Sequence, residues 1–298
     1  MQAIDDLIQK FLKELNYQPI LEMLLHVKSG KKLRSKLLLA ISGENKEALI
    51  ICAAIELIHL ASLLHDDIID ESELRRGSKS VNSEFGTKNA LMLGDILYSK
   101  AFYELSQMNN TQFASIISDA VVKLSVGELM DVNLSQGFNT DKDKYLSMIY
   151  NKTAVLIEAS AKCGAILAGL DEKSFGEYGK NLGFAFQIID DILDIKGDEK
   201  TLGKPSMADF KEGKVTLPYI YLFENLDKEG KKQLKSMFKK DLNEQEKIWI
   251  NTQFKEKEIL EKSILEVKEY AKKAINAIEK YSNQKLKDIV EAMIDRNF

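Results

Sequence analysis

Residues 47–71 read EALIICAAIELIHLASLLHDDIIDE, and this stretch decides the fold class. It is too long for a strand and apolar nearly all round, which predicts a helix buried in the centre of a helical fold. Its end is the opposite in character: Asp66, Asp67 and Asp70 crowd onto one helix terminus. Residues i and i+4 share a helix face, so Asp66 and Asp70 project together while Asp67 lies to one side. Three carboxylates so close repel one another and lose hydration, and cations must balance them.

The same spacing returns at Asp190, Asp191 and Asp194, closing a second apolar helix, GFAFQIIDDILD, residues 183–194. One such cluster alone reads better as a solvated helix end. Two of them, each at the hydrophilic end of a core helix, are poorly explained that way. Oxygen-only sites suit hard ions, and Mg²⁺ typically enters through one or two carboxylates plus substrate phosphates. A diphosphate held by Mg²⁺ between two carboxylate walls is the expected ligand.

The remaining sequence agrees with a helical protein. Of 298 residues 45% are apolar, and only three prolines and 16 glycines punctuate them. That suffices for a large core, read as a single domain over residues 1–298. Apolar residues recur at helical spacing over residues 3–25, and further helices are expected at about 88–107, 112–134, 142–169, 173–196, 216–224, 228–239, 244–253, 255–280 and 284–296. Strand signals are poor. Turns are expected at Ser29-Gly30, Arg76-Gly77-Ser78 and Gly137-Phe138-Asn139, and a long functional loop from Gly197 to Gly213.

Thirty per cent of residues are charged, with a net charge of −4 and both signs mixed along the chain. This excludes a nucleic-acid binder as the expected class. Cys52 and Cys163 lack metal or redox spacing and read as buried core thiols in a reducing compartment. No apolar run is read as a membrane span, and the first thirty residues do not read as a signal peptide, so a cytoplasmic location is expected.

If a diphosphate binds, cations belong near the acidic clusters. Lys31, Lys32 and Arg34 precede a helix, Arg75 and Arg76 follow the first cluster, Lys152-Thr153 lies between the clusters, and Lys204 and Lys214 flank the long loop. Basic residues are usually solvated surface, but this distribution around both clusters is not random. Arg in particular suits bidentate phosphate recognition. His59 lies seven residues before Asp66 on about the same helix face.

Read together, Asp66-Asp67-Ile68-Ile69-Asp70-Glu71-Ser72-Glu73-Leu74-Arg75-Arg76-Gly77 resembles the first aspartate-rich motif of trans-polyprenyl diphosphate synthases, and residues 183–194 resemble the second. Ser29-Gly30-Lys31-Lys32-Leu33-Arg34 is similar to the family's GGKRLRP stretch. Glu56-Leu57-Ile58-His59, Gly94-Asp95, Gly127-Glu128, Lys152-Thr153-Ala154 and Gly213-Lys214-Val215-Thr216-Leu217-Pro218 follow in family order. The resemblance covers about residues 28–220. Three positions depart from it: Ser35 replaces a proline, Asn82 a common histidine, and Asp131 a glutamine.

The resemblance implies an all-α protein, an orthogonal bundle of long helices around a deep central cavity (the isoprenoid synthase fold), and a homodimer. It also implies roles. Asp66 and Asp70 would bind two Mg²⁺ ions, with a third at Asp190, helped by Asp194. Arg75, Lys152, Lys204 and Lys214 would hold the allylic diphosphate, with Thr153 and Gln187 beside its reacting end. Lys31, Arg34, His59 and Arg76 would hold the diphosphate of isopentenyl diphosphate. The allylic C–O bond breaks to a carbocation and pyrophosphate, the terminal double bond of isopentenyl diphosphate attacks the cation, and a proton is lost, with the departing pyrophosphate as its expected acceptor.

Product length is read from the helix below Asp66. Ala61 and Ser62 lie one turn deeper and are small, where family members with short products place an aromatic ring. An opening beyond farnesyl length follows, with Phe113, Ile116, Ile117 and Val121 as candidate floor residues. The motifs most resemble enzymes of quinone side chains, which favours a product near octaprenyl over geranylgeranyl diphosphate. An isoprenoid cyclase would need no second diphosphate site, and a non-catalytic subunit would have lost acidic motifs.

Overall fold

The computed structural model describes residues 1–25, 27–28, 30–197 and 206–294. The described chain is helical almost throughout, and it divides into two compact units. The first comprises residues 1–122 and 156–179, the second residues 123–155 and 180–298.

In the first unit, the periodic stretch expected over 3–25 forms two helices, α1 (Gln2–Lys13) and α2 (Gln18–Leu25). The break falls at Asn16, whose φ of 51° is left-handed. Asparagine tolerates that conformation better than most residues, and Pro19 then starts the next helix. Helix α3 (Leu33–Ser42) follows the Lys31–Arg34 stretch. Helix α4 (Lys46–Ile69) is the quoted apolar segment. The Asn45 side chain caps its start by accepting the Ala48 N–H at 2.9 Å.

By length and composition alone α4 would reach across a membrane, contrary to the sequence reading that no run does so. Its most apolar window is 61% buried inside the protein, as expected for a core helix. Ile51, Ala54, Ile58 and Ala61 are fully enclosed. Both cysteines are buried and unpaired, as expected.

After α4 the chain makes a two-stranded hairpin, Leu74–Arg75 against Ser78–Lys79. Arg76 (φ 52°) and Gly77 (φ 72°) form its turn, and two left-handed central residues match the twist of a tight hairpin. Helices α5 (Val81–Phe85), α6 (Thr87–Ser106) and α7 (Thr111–Leu134) follow.

The helix expected over 142–169 is interrupted in a telling way. Helix α8 (Lys142–Ile149) runs into a π-helical turn, Tyr150–Ala154, before α9 (Val155–Leu167). Such turns cluster at functional sites, and this one carries Lys152 and Thr153. Two glycines make room for it. A Cβ on Gly127 of α7 would sit 2.2 Å from the Lys152 backbone nitrogen. On Gly183 of α10 (Glu172–Lys196), a Cβ would meet the Ala154 Cα at 2.4 Å. Neither distance tolerates a side chain, so the π turn lies directly on both helix backbones.

The stretch expected as a loop from Gly197 to Gly213 contains a short helix, α11 (Ala208–Glu212). Gly213, at φ 93°, ends it, as is common one residue past a helix. Helices α12 (Leu217–Asn225), α13 (Lys228–Met237), α14 (Glu244–Glu256), α15 (Ile259–Ala277) and α16 (Gln284–Ile294) complete the second unit. Their core includes Phe210 stacked on Tyr219 with ring centroids 4.3 Å apart.

Candidate active site

The first acidic motif divides its aspartates by environment. Asp66 and Asp70 are half-exposed, whereas Asp67 retains only 3% of its surface. Burial pushes the Asp67 carboxyl above the usual range, opposed by hydrogen bonds from Arg75. The Arg75 Nε donates to Asp67 Oδ1 at 2.8 Å, and a terminal guanidinium nitrogen reaches the same oxygen. The backbone is tied down as well. Asn82 Nδ2 donates to the carbonyls of Asp67 and Ser72, both at 3.2 Å, and the Ser80 hydroxyl donates to Ser72 at 2.6 Å. Arg75, assigned to substrate by the resemblance, is therefore first of all oriented by Asp67.

Of the residues assigned to isopentenyl diphosphate, Arg34, His59 and Arg76 lie close enough to interact within this unit. Burial, followed by the charges of Arg34, Arg76 and Arg75, holds the His59 imidazole well below its ordinary pKa. His59 is thus neutral at pH 7 and offers one donor and one acceptor. The Arg76 guanidinium donates to the Lys28 carbonyl at 2.5 Å, which fixes it beside Gly30. Ser35 donates to Glu56 Oε1 at 2.6 Å, linking the Lys31–Arg34 stretch to the helix of His59. Lys31 itself is exposed, and its neighbour Lys32 pairs with Asp5.

Ala61 and Ser62 are buried, with the Ser62 hydroxyl donating to the His59 carbonyl at 2.9 Å. Of the floor candidates, Phe113 and Ile117 are buried and Ile116 and Val121 half-buried.

The second motif repeats the division. Asp190 is half-exposed and Asp191 retains 3% of its surface. Tyr145 OH donates to Asp191 Oδ2 at 2.5 Å and Gln187 Nε2 donates to Oδ1 at 2.9 Å. Burial and the charge of Asp209 push the Asp191 carboxyl up to about 8, against those two hydrogen bonds. Gln187 Oε1 in turn accepts the Thr153 hydroxyl at 2.7 Å. Asp194 differs from its sequence counterpart Asp70. It is buried, its carbonyl accepts Met207 N–H at 2.8 Å, and its Oδ2 accepts Asp209 N–H at 3.3 Å.

Lys152 reaches two buried carboxylates, Asp131 Oδ2 at 2.5 Å and Glu128 Oε2 at 2.8 Å. Lys214 lies 2.8 Å from Glu212 Oε2. Lys204 lies outside the described residues. Tyr145 and Asp209 were not among the residues singled out by sequence. A lone aromatic or acid at helical spacing reads as core or surface, and only the fold brings these two to the motif residues.

The oxygen-only outer aspartates fit a hard divalent ion. Among the described residues no three His, Cys, Asp or Glu side chains form a ready metal site. An ion would complete its shell with phosphate oxygens, as Mg²⁺ commonly does.

The comparison with known families decides the identity. The polyprenyl synthetase family model matches residues 17–253. The chain belongs to this family, and it is a trans-prenyltransferase. Its relatives differ in product. A short chain isoprenyl diphosphate synthase of Methanothermobacter thermautotrophicus is 35% identical over 249 residues, covering 79% of this chain and 77% of that one. The octaprenyl pyrophosphate synthase of Helicobacter pylori shares the isoprenoid synthase fold with a TM-score of 0.94 and 44% identity, over 99% of this chain and 98% of its own. A polyprenyl synthase of Caulobacter crescentus, solved with calcium and isoprenyl diphosphate, has a TM-score of 0.84 and 27% identity over 100% and 98% of the two chains.

The Asp67–Arg75 pair makes a prediction about this synthase. Asp67→Ala should cost about 2 kcal/mol of folding stability, because a partly buried guanidinium loses its acceptor. Arg75→Ala should cost a similar amount, and the double variant less than the sum. Urea unfolding of the four proteins measures this; strictly additive losses would mean the two side chains act independently.

Proposed function

We propose that this synthase condenses an allylic diphosphate such as farnesyl diphosphate with successive isopentenyl diphosphates. The product is an all-trans polyprenyl diphosphate near octaprenyl length, suited to quinone side chains. The observation that carries the reading is the shared division of both acidic motifs. In each, the middle aspartate is buried and engaged by protein donors, while Asp66, Asp70 and Asp190 stay partly open to solvent.

In this reading Asp66, Asp70 and Asp190 hold Mg²⁺, three ions per active site, with Asp194 acting mainly through the Met207–Asp209 backbone. Bound Mg²⁺ would supply charge neutralisation for the pyrophosphate leaving group. Arg75, Lys152, Lys204 and Lys214 bind the allylic diphosphate, and Thr153 and Gln187 lie at its reacting end. Lys31, Arg34, Arg76 and neutral His59 bind isopentenyl diphosphate, orienting its double bond toward the allylic carbon. Rate then comes from positioning and electrostatics rather than from a protein nucleophile.

Length is supported by the small, buried Ala61 and Ser62 and by the 44% identity to an octaprenyl synthase across almost the whole chain. A homodimer is supported by exposed Leu91, Met92 and Tyr103 along one face of α6. We place the enzyme in the cytoplasm on the reading of its sequence.

Two measurements test the proposal. Incubated with Mg²⁺, farnesyl diphosphate and labelled isopentenyl diphosphate, the protein should yield, after dephosphorylation, labelled prenols near eight isoprene units. Label confined to four units would support a geranylgeranyl synthase instead, and cyclic hydrocarbon would indicate a cyclase. Ala61→Phe should shorten the product by one or more units; an unchanged length distribution would refute α4 as the wall of the chain pocket.

A further inference from the structure

Thr153, Gln187, Asp191 and Tyr145 form one unbroken hydrogen-bonded series in the second unit, running from two hydroxyl donors through one amide to a shared carboxyl. Tyr145 OH donates to Asp191 Oδ2 at 2.5 Å, and Asp191 Oδ1 faces the Gln187 amide nitrogen at 2.9 Å. Asp191 accepts on both oxygens, from Tyr145 on one side and from the Gln187 NH₂ group on the other. The Gln187 carbonyl then faces Thr153 Oγ1 at 2.7 Å, and it can only accept. The Thr153 hydroxyl proton is therefore committed, and only its lone pairs remain to face anything else.

We propose that Tyr145 and Asp191 are positioning residues that, through Gln187, fix Thr153 as an acceptor-only group toward the allylic carbon of the substrate. A hydroxyl with its proton engaged cannot donate to a diphosphate oxygen. It can offer electron density to the carbon that becomes positive as the C–O bond breaks. The elements are built to hold this arrangement. Tyr145 is enclosed on α8, five residues before the π turn that carries Thr153, and Gly183 lets α10 lie against that turn so that Gln187 reaches Thr153. The inference rests on the proposed placement of Thr153 beside the reacting end.

A double-mutant cycle tests it. Tyr145→Phe should lower kcat on the order of tenfold, the loss typical when a group that orients a ligand is removed, with KM for both substrates within about twofold. In a Thr153→Val background, where no hydroxyl remains to orient, Tyr145→Phe should have less than about a twofold further effect. Gln187→Met severs the series and keeps the Tyr145–Asp191 contact; it should match Thr153→Val in kcat even if Tyr145→Phe fails to fold. Equal, multiplicative effects of Tyr145→Phe in both backgrounds would overturn the series, as would full activity of Gln187→Met beside a slow Thr153→Val. Full activity of Thr153→Val would overturn instead the placement of Thr153 in the active site.

Discussion

A carboxylate removed from water must find donors within the protein, and Asp67 and Asp191 are the two on which this arrangement depends. Each is the second residue of its motif, and each is engaged on the protein side, by Arg75 in one case and by Tyr145 and Gln187 in the other. Engagement of the middle aspartate fixes the end of an apolar helix. It also sets the rotation at which Asp66, Asp70 and Asp190 meet solvent. Each motif thus pairs a buried anchor with the half-exposed aspartates proposed as Mg²⁺ ligands, Asp66 and Asp70 in the first and Asp190 in the second.

Anchoring also explains how neighbouring functional groups acquire direction. Asp67 orients Arg75, and the hairpin carrying Arg76 is stitched to the same turn through Ser80 and Asn82. Asp191 orients Gln187 and, through it, Thr153. The three departures from the family pattern fall within such networks. Ser35 donates to Glu56, Asn82 bridges two carbonyls of the first motif's turn, and Asp131 gives Lys152 a second acidic partner beside Glu128. None removes a proposed ligand, and each exchanges one local fastening for another.

Much of the helical organisation was legible because periodicity is long and prolines are few. The i, i+4 spacing of Asp66 and Asp70 on one helix was legible for the same reason. Less legible was whatever depends on a break in that periodicity. Asn16 divides the first helical stretch, the π turn interrupts the second quarter of the expected 142–169 helix no more visibly than any other turn of it, and α11 sits in a stretch that reads as loop. The π turn requires Gly127 and Gly183, two glycines far apart in sequence that signal nothing until they are seen against Lys152 and Ala154. Tyr145 was invisible for a related reason, since a buried tyrosine at helical spacing carries no mark of its hydrogen bond. The apolar composition of α4 misled in another direction, because a core helix and a membrane span satisfy the same length test.

The most direct test of the division between anchor and ligand is the Mg²⁺ dependence of diphosphate binding in two neighbouring variants. Calorimetric titration with a non-reactive thio-analogue of the allylic diphosphate, with and without Mg²⁺, should show that Asp66→Asn abolishes the gain in affinity that Mg²⁺ provides. Asp67→Asn should keep that gain while lowering affinity through the misplaced Arg75. Loss of the Mg²⁺ dependence in Asp67→Asn, with its retention in Asp66→Asn, would contradict the account.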